Sequence, residues 1–209
     1  MKVEIAFVEL AKGSMNTFLN AMTYPDKTVY PVASTNVADL ENLMDVYLDA
    51  VLHPAIYHRP RIFEQEGWHL ELEGLDAPLA YNGVVFNEMK GNYASFEDVA
   101  YDAICRPCLA GSEYVYDSGG DPLVIPSLSY GAFRDYHRRY YCTANCLCYL
   151  YGDIPLEEEL DFLIGHVTDR VASPGTKASY PAPDFSRPVE ARVSRRVLHH
   201  DRFARLGDH

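Results

Sequence analysis

The chain has 209 residues, 48% of them hydrophobic and 23% charged, the ordinary balance of one globular domain with a sizeable core. It carries 30 acidic against 18 basic side chains, and a net charge of −12 argues against polynucleotide binding. No run of about 18 apolar residues occurs, which excludes a membrane-spanning helix, and Met1-Lys2-Val3-Glu4-Ile5-Ala6 lacks the apolar stretch of a signal peptide.

The charge is unevenly spread. Residues 1–185 hold 12 Lys/Arg against 27 Asp/Glu, or −15, whereas residues 186–209 hold 6 against 3, or +3. An acidic body favours basic partners, peptides among them. The five cysteines, at 105, 108, 142, 146 and 148, are odd in number and follow no signal peptide, which predicts free thiols in a reducing, cytoplasmic compartment. Cys105-x-x-Cys108 and Cys146-x-Cys148 read as core cysteines, because C-x-C offers poor chelate geometry for zinc.

In chain order, residues 16–23 and 27–34 are extended runs rich in Thr, Val, Tyr and Phe, joined by Tyr24-Pro25-Asp26, and predict a hairpin. Asn36 can cap the next helix, with Asp39 in its first turn. Leu40, Leu43, Met44, Tyr47, Leu48 and Val51 recur at helical spacing on one apolar face, and His53-Pro54 ends it. A second helix is predicted over 61–73, with Phe63, Trp68 and Leu72 partly inward. Residues 84–92 and 96–109 read as two further helices, broken near 91–95. Ser118-Gly119-Gly120-Asp121-Pro122 is a loop by composition. Ser129 can cap a helix over 130–140, residues 146–151 read as a strand, and Pro155 suits the first turn of a helix running to about residue 171. From Ser173 onward Ser, Pro, Gly and Ala suggest a linker, followed by a basic tail with some strand-like alternation over 189–198.

Few residues suggest chemistry by their pattern alone. Ser118-Gly119-Gly120-Asp121 lacks the lysine of a phosphate-binding loop, and no G-x-S-x-G elbow is present. Glu97 and Asp98 read as a helix-start charge pair, Glu64 and Glu66 as an exposed helix face, and His69 as a packing histidine beside Trp68. His199-His200-Asp201 lies in the tail, and nothing brings Cys105 together with His137.

Five segments together resemble the insulinase-type (pitrilysin-like) metallopeptidases, in the presequence protease and falcilysin branch. They are Phe7-Val8-Glu9-Leu10 with the run from Lys12 to Thr28, Asn42 to Val51 with Glu64-Gln65-Glu66-Gly67-Trp68-His69, Tyr81-Asn82-Gly83-Val84-Val85-Phe86-Asn87-Glu88-Met89-Lys90-Gly91, Ser118 to Pro122, and Tyr149-Leu150-Tyr151-Gly152-Asp153. They follow the family's order over roughly residues 7–165.

The resemblance implies an α+β fold with helices packed on a mixed, mainly antiparallel sheet, of the LuxS/processing-peptidase type, incomplete at the N-terminus. Residues 1–172 would be a truncated peptidase domain, and residues 173–209 a linker and tail leading toward a second domain. The family holds zinc with two histidines and a glutamate, and a further glutamate activates a water. Glu88 matches the glutamate ligand. The upstream H-x-x-E-H that supplies the rest occurs nowhere in the 209 residues, so zinc belongs to the complete enzyme and this chain alone is expected to be inactive. Asn16, Thr17 and Phe18 match the edge strand against which the family lays a peptide substrate. The expected partners are peptide substrates, remaining segments of the parent peptidase, and further copies of the chain through an exposed sheet edge; neither nucleic acid nor membrane is among them. The alternative reading is a non-catalytic peptide-binding or scaffold module.

Overall fold

The longest helix shows how local pattern becomes packing. In a computed structural model, which describes residues 13–168, 177–179 and 186, α1 (Val37–Leu52) starts where the Asn36 side chain accepts a hydrogen bond from the Asp39 amide at 3.1 Å, and it ends at His53. That carboxamide satisfies an amide that the first turn cannot bond internally. Leu43, Met44 and Tyr47 are the buried members of the apolar face.

The chain groups into two compact units whose segments interleave. The first contains the hairpin, α1, and later α5 (Tyr130–Tyr140) and α6 (Leu156–Thr168). In the hairpin, β1 (Asn16–Leu19) pairs antiparallel with β4 (Val32–Ser34), and the short β2 (Met22–Thr23) pairs with β3 (Thr28–Val29). Leu43 and Tyr47 of α1 form the core of this unit, with Leu19, Tyr30, Val32 and Val46 packed around them. Full burial of one such leucine stabilises by about 1.5–3 kcal/mol.

The second unit holds α2 (Arg61–Glu66), β5 (His69–Glu71), β6 (Ala80–Asn82), α3 (Val84–Asn92) and α4 (Phe96–Cys108). Strands β5 and β6 are antiparallel, pairing His69 with Asn82, Leu70 with Tyr81 and Glu71 with Ala80. Phe86, Met89 and Ile125 form its core, flanked by Trp68, Tyr81, Val85 and Tyr93.

The described residues are rich in helix with small antiparallel pairs, an α+β composition. The expected broad sheet is represented among them by three two-stranded pairs. Two segments differ from the sequence reading. The helix foreseen over 61–73 stops at Glu66, because Gly67 breaks the turn and His69–Glu71 finds a strand partner in Ala80–Asn82. Residues 146–151 are extended and form no ladder with another described segment, so the strand expected there is not found among the described residues: extension becomes a strand only through cross-chain hydrogen bonds. The Phe7–Leu10 segment, the boundary at 172/173, the basic tail and His199-His200-Asp201 lie outside the described residues.

Candidate functional site

The strongest motif, residues 81–91, folds as the end of β6, a one-residue corner at Gly83, and the helix α3. Gly83 has φ +154°, and a Cβ there would lie 2.3 Å from the carbonyl oxygen of Gly67 and 2.8 Å from the Cα of Trp68. Only glycine lets the helix start come so close to the backbone between α2 and β5. The Phe86 amide reaches the Gly67 carbonyl at 3.4 Å, so the 64–69 and 81–91 motifs meet at a glycine-on-glycine contact.

Asn82 ties this corner together. Its Oδ1 accepts from the Gly83 amide at 2.8 Å and from Asn87 Nδ2 at 2.6 Å, and its Nδ2 donates to the Glu71 carboxylate. A third motif joins through packing, since Gly119 of the 118–122 loop lies against Met89, where a Cβ would sit 2.1 Å from the thioether sulfur. Trp68 donates from Nε1 to the Leu128 carbonyl at 2.9 Å, and its ring meets that of Tyr81 edge-on at 5.7 Å. Three segments far apart in sequence therefore make one packed junction, and α3 is its centre.

Glu88 sits on α3 and is exposed, while Phe86 and Met89 of the same helix are buried. The helix turns its apolar residues inward and presents this carboxylate outward. Asn87, Asn82 and Glu71 form a polar chain beside it that the sequence reading did not single out. An Asn-Gly pair just before a helix was its available signal, whereas the Asn82–Glu71 contact depends on the β5–β6 register.

In the first unit, Asn16, Thr17 and Phe18 lie on β1. Asn16 pairs with Ser34 and Phe18 with Ala33, so Thr17 is the extra residue of a β-bulge, and its hydroxyl approaches the Ala33 carbonyl at 3.3 Å. A bulge re-aims side chains and increases local twist. Phe18 is 45% exposed.

The remaining residues noted in the sequence have local roles. Glu97 and Asp98 lie in the first turn of α4, where Ser95 accepts from the Asp98 amide at 3.4 Å. His69 shares a hydrogen bond with the Glu64 carbonyl at 2.8 Å. His137 is held at both ring nitrogens, by the Val51 carbonyl and the Tyr57 hydroxyl, each at 2.7 Å.

Among the described residues, no three His, Cys, Asp or Glu side chains gather in a way that could hold a metal ion. A zinc site needs about four donors, and Glu88 would supply one carboxylate of them. The described residues therefore do not by themselves fit a zinc ion. Nor is any described helix long and apolar enough to cross a membrane.

No family model matches the chain. Curated proteins do. The chain is 55% identical over 157 residues to protein HypA of Clostridium perfringens, covering 75% of this chain. It is 45% identical over 177 residues, 85% of the chain, to presequence protease 1, chloroplastic/mitochondrial, of Arabidopsis thaliana. To the mitochondrial presequence protease of Schizosaccharomyces pombe it is 41% identical over 160 residues, 75% of the chain. In each case the match spans 16% of the relative's own length. Identity at this level, across most of the chain and with several presequence proteases, places the chain in the insulinase-type presequence protease family.

Proposed function

We propose that the chain is part of a zinc metalloendopeptidase that degrades short, unstructured peptides, with Glu88 as one zinc ligand and Asn16, Thr17 and Phe18 as the strand that receives the substrate. The observation that carries this reading is the junction around α3. It is built from the motif segments that match the family, and it fixes Glu88 on a helix whose other face is anchored by Phe86 and Met89.

Peptide capture on β1 would use main-chain hydrogen bonds, which read sequence loosely and so admit many substrates. Among the described residues β1 has β4 as its one strand partner, which agrees with that role. The charge of −15 over residues 1–185 favours basic peptides. The chain by itself hydrolyses nothing, because it contains no H-x-x-E-H to complete the donor set and activate water. Five free thiols suit a reducing compartment.

Metal analysis of the dialysed chain, together with an assay on a basic unstructured peptide, is expected to give no stoichiometric zinc and no cleavage. Supplying an H-x-x-E-H segment of a relative, fused or as a separate peptide, is expected to restore zinc binding, and Glu88→Gln to abolish the gain. Equal zinc binding with glutamine at 88 would remove Glu88 from the site. Chelator-sensitive turnover by the unsupplemented chain would overturn the reading of inactivity.

A further inference from the structure

Between α5 and α6, Cys146 and Cys148 stand on the same side of an extended segment with their sulfurs 3.8 Å apart. Both are exposed. Cys146 has extended backbone angles, φ −111° and ψ 138°, so alternate side chains share a face. The other face carries Leu147, Tyr149 and Tyr151, exposed by 93%, 81% and 89%. Among the described residues no strand pairs with this segment.

We propose that Cys146 and Cys148 are a reversible dithiol site that closes to an intramolecular disulfide on reaction with a small-molecule disulfide. One thiolate attacks a sulfur of the reagent, forming a mixed disulfide and expelling one small thiolate. The second cysteine then attacks the bonded protein sulfur and expels the other. Two protein thiols are oxidised, one reagent disulfide is reduced to two thiols, and the two protons pass to those products.

The roles of the two sulfurs follow from their surroundings. Desolvation first, then the neighbouring thiols Cys148 and Cys142, push the Cys146 thiol up to about 11. The attacking sulfur is therefore Cys148, and Cys146 resolves the mixed disulfide. Two residues of extended chain span about 6.6 Å, at the upper end of the roughly 4.4–6.8 Å that a disulfide tolerates between α-carbons. The closed form lies on an exposed segment, which makes it easily reduced and suits switching more than bracing.

The other cysteines lack this arrangement. Cys142 is buried, with its thiol toward the Arg139 carbonyl. Cys105 and Cys108 lie in the last turn of α4, on a helix rather than on an extended segment.

The test equilibrates the purified chain with mixtures of reduced and oxidised glutathione and follows intact mass. The expected result is loss of two hydrogens per chain, reversed by dithiothreitol and retained in the Cys105→Ser, Cys108→Ser double variant. Cys146→Ser is expected to lose that change and to carry one glutathione on Cys148 instead. Thermal stability is expected to be unchanged by closure, since only an exposed segment bends. Retention of the two-hydrogen loss in Cys146→Ser, its disappearance in the Cys105/Cys108 double variant, or disulfide-linked dimers in its place would each overturn the proposal.

Discussion

Gly83 and Gly119 are both glycines of motif segments, yet the structure asks different things of them. At Gly83 the atoms in the way of a side chain are backbone, and φ is +154°. Gly83→Ala is therefore expected to cost about 3 kcal/mol or more, through left-handed strain and displacement of α3. At Gly119 the obstacle is the Met89 side chain, which has rotamers to use although it is buried. Gly119→Ala is expected to cost less, about 1–2 kcal/mol. Urea unfolding of the two variants measures the difference, and equal losses would show that the Gly67–Gly83 contact is not special. Glu159 poses the opposite question. It is 1% exposed, and neither carboxylate oxygen has a hydrogen-bond partner among the described residues. Burial pushes its carboxyl above the usual 4.5, with Glu41 and Glu158 adding to the rise. The folded chain thus holds this proton to higher pH than the unfolded chain does, so stability is full below 4.5 and falls as pH rises through the folded value. Glu159→Gln is expected to exceed the parent in melting temperature at neutral pH and to match it near the acid end of the range. A variant less stable at neutral pH would mean that the carboxylate has a partner.

Among the elements, α1 carries the first unit. Its cap is a single contact, so Asn36→Ala is expected to cost about 1 kcal/mol, measurable as a shift in urea midpoint. Its C-terminal end is tied to α5 through His137, whose Nε2 donates to the Val51 carbonyl while Nδ1 shares a hydrogen bond with the Tyr57 hydroxyl. Neutral imidazole satisfies both contacts, with Nδ1 accepting from the hydroxyl. Desolvation lowers the His137 pKa below 6.5 and His53 adds to the lowering, while the hydrogen bond to Val51 opposes it. Arg138 faces Tyr57, and Tyr141 stacks on the imidazole at 4.5 Å. As pH falls through 6.5 the unfolded chain takes up its proton first, so the stability that His137 contributes is present above 6.5 and is lost below it. Melting curves across that interval are expected to slope downward toward acid for the parent and to flatten for His137→Gln. The same slope in both proteins would assign it to other groups. Most of these helices were legible in the sequence, because 3.6-residue periodicity and capping residues are local. The exceptions were the end of α2, where tertiary pairing of His69–Glu71 overrode a helical reading, and residues 146–151, which have no ladder among the described residues.

At the scale of the molecule, the two units each have a small core, Leu43 and Tyr47 in one and Phe86, Met89 and Ile125 in the other. Beside them stand exposed apolar side chains, with Leu147, Tyr149 and Tyr151 in one run. Such a surface invites association. Light scattering after size exclusion is expected to give a mass that rises with protein concentration, and Leu147→Lys with Tyr149→Lys to reduce it. A monomer at every concentration would show that these side chains do not drive assembly.

The sequence by itself determined the family, the hairpin, the long amphipathic helix and the helix that carries Glu88, because each is written in contiguous residues: a motif, a turn, a period, a cap. Tertiary structure alone decided which motifs touch. That Gly67 must meet Gly83, that Gly119 must lie on Met89, and that Asn82 must bind Glu71 follow from register and close approach between residues 11 to 30 positions apart. Such contacts are selected by shape and hydrogen-bond satisfaction in three dimensions, which no local pattern encodes. The bulge at Thr17 belongs to the same class, since it exists only in the pairing of β1 with β4. So does the exposure of Glu88, set by the two neighbours that α3 turns inward.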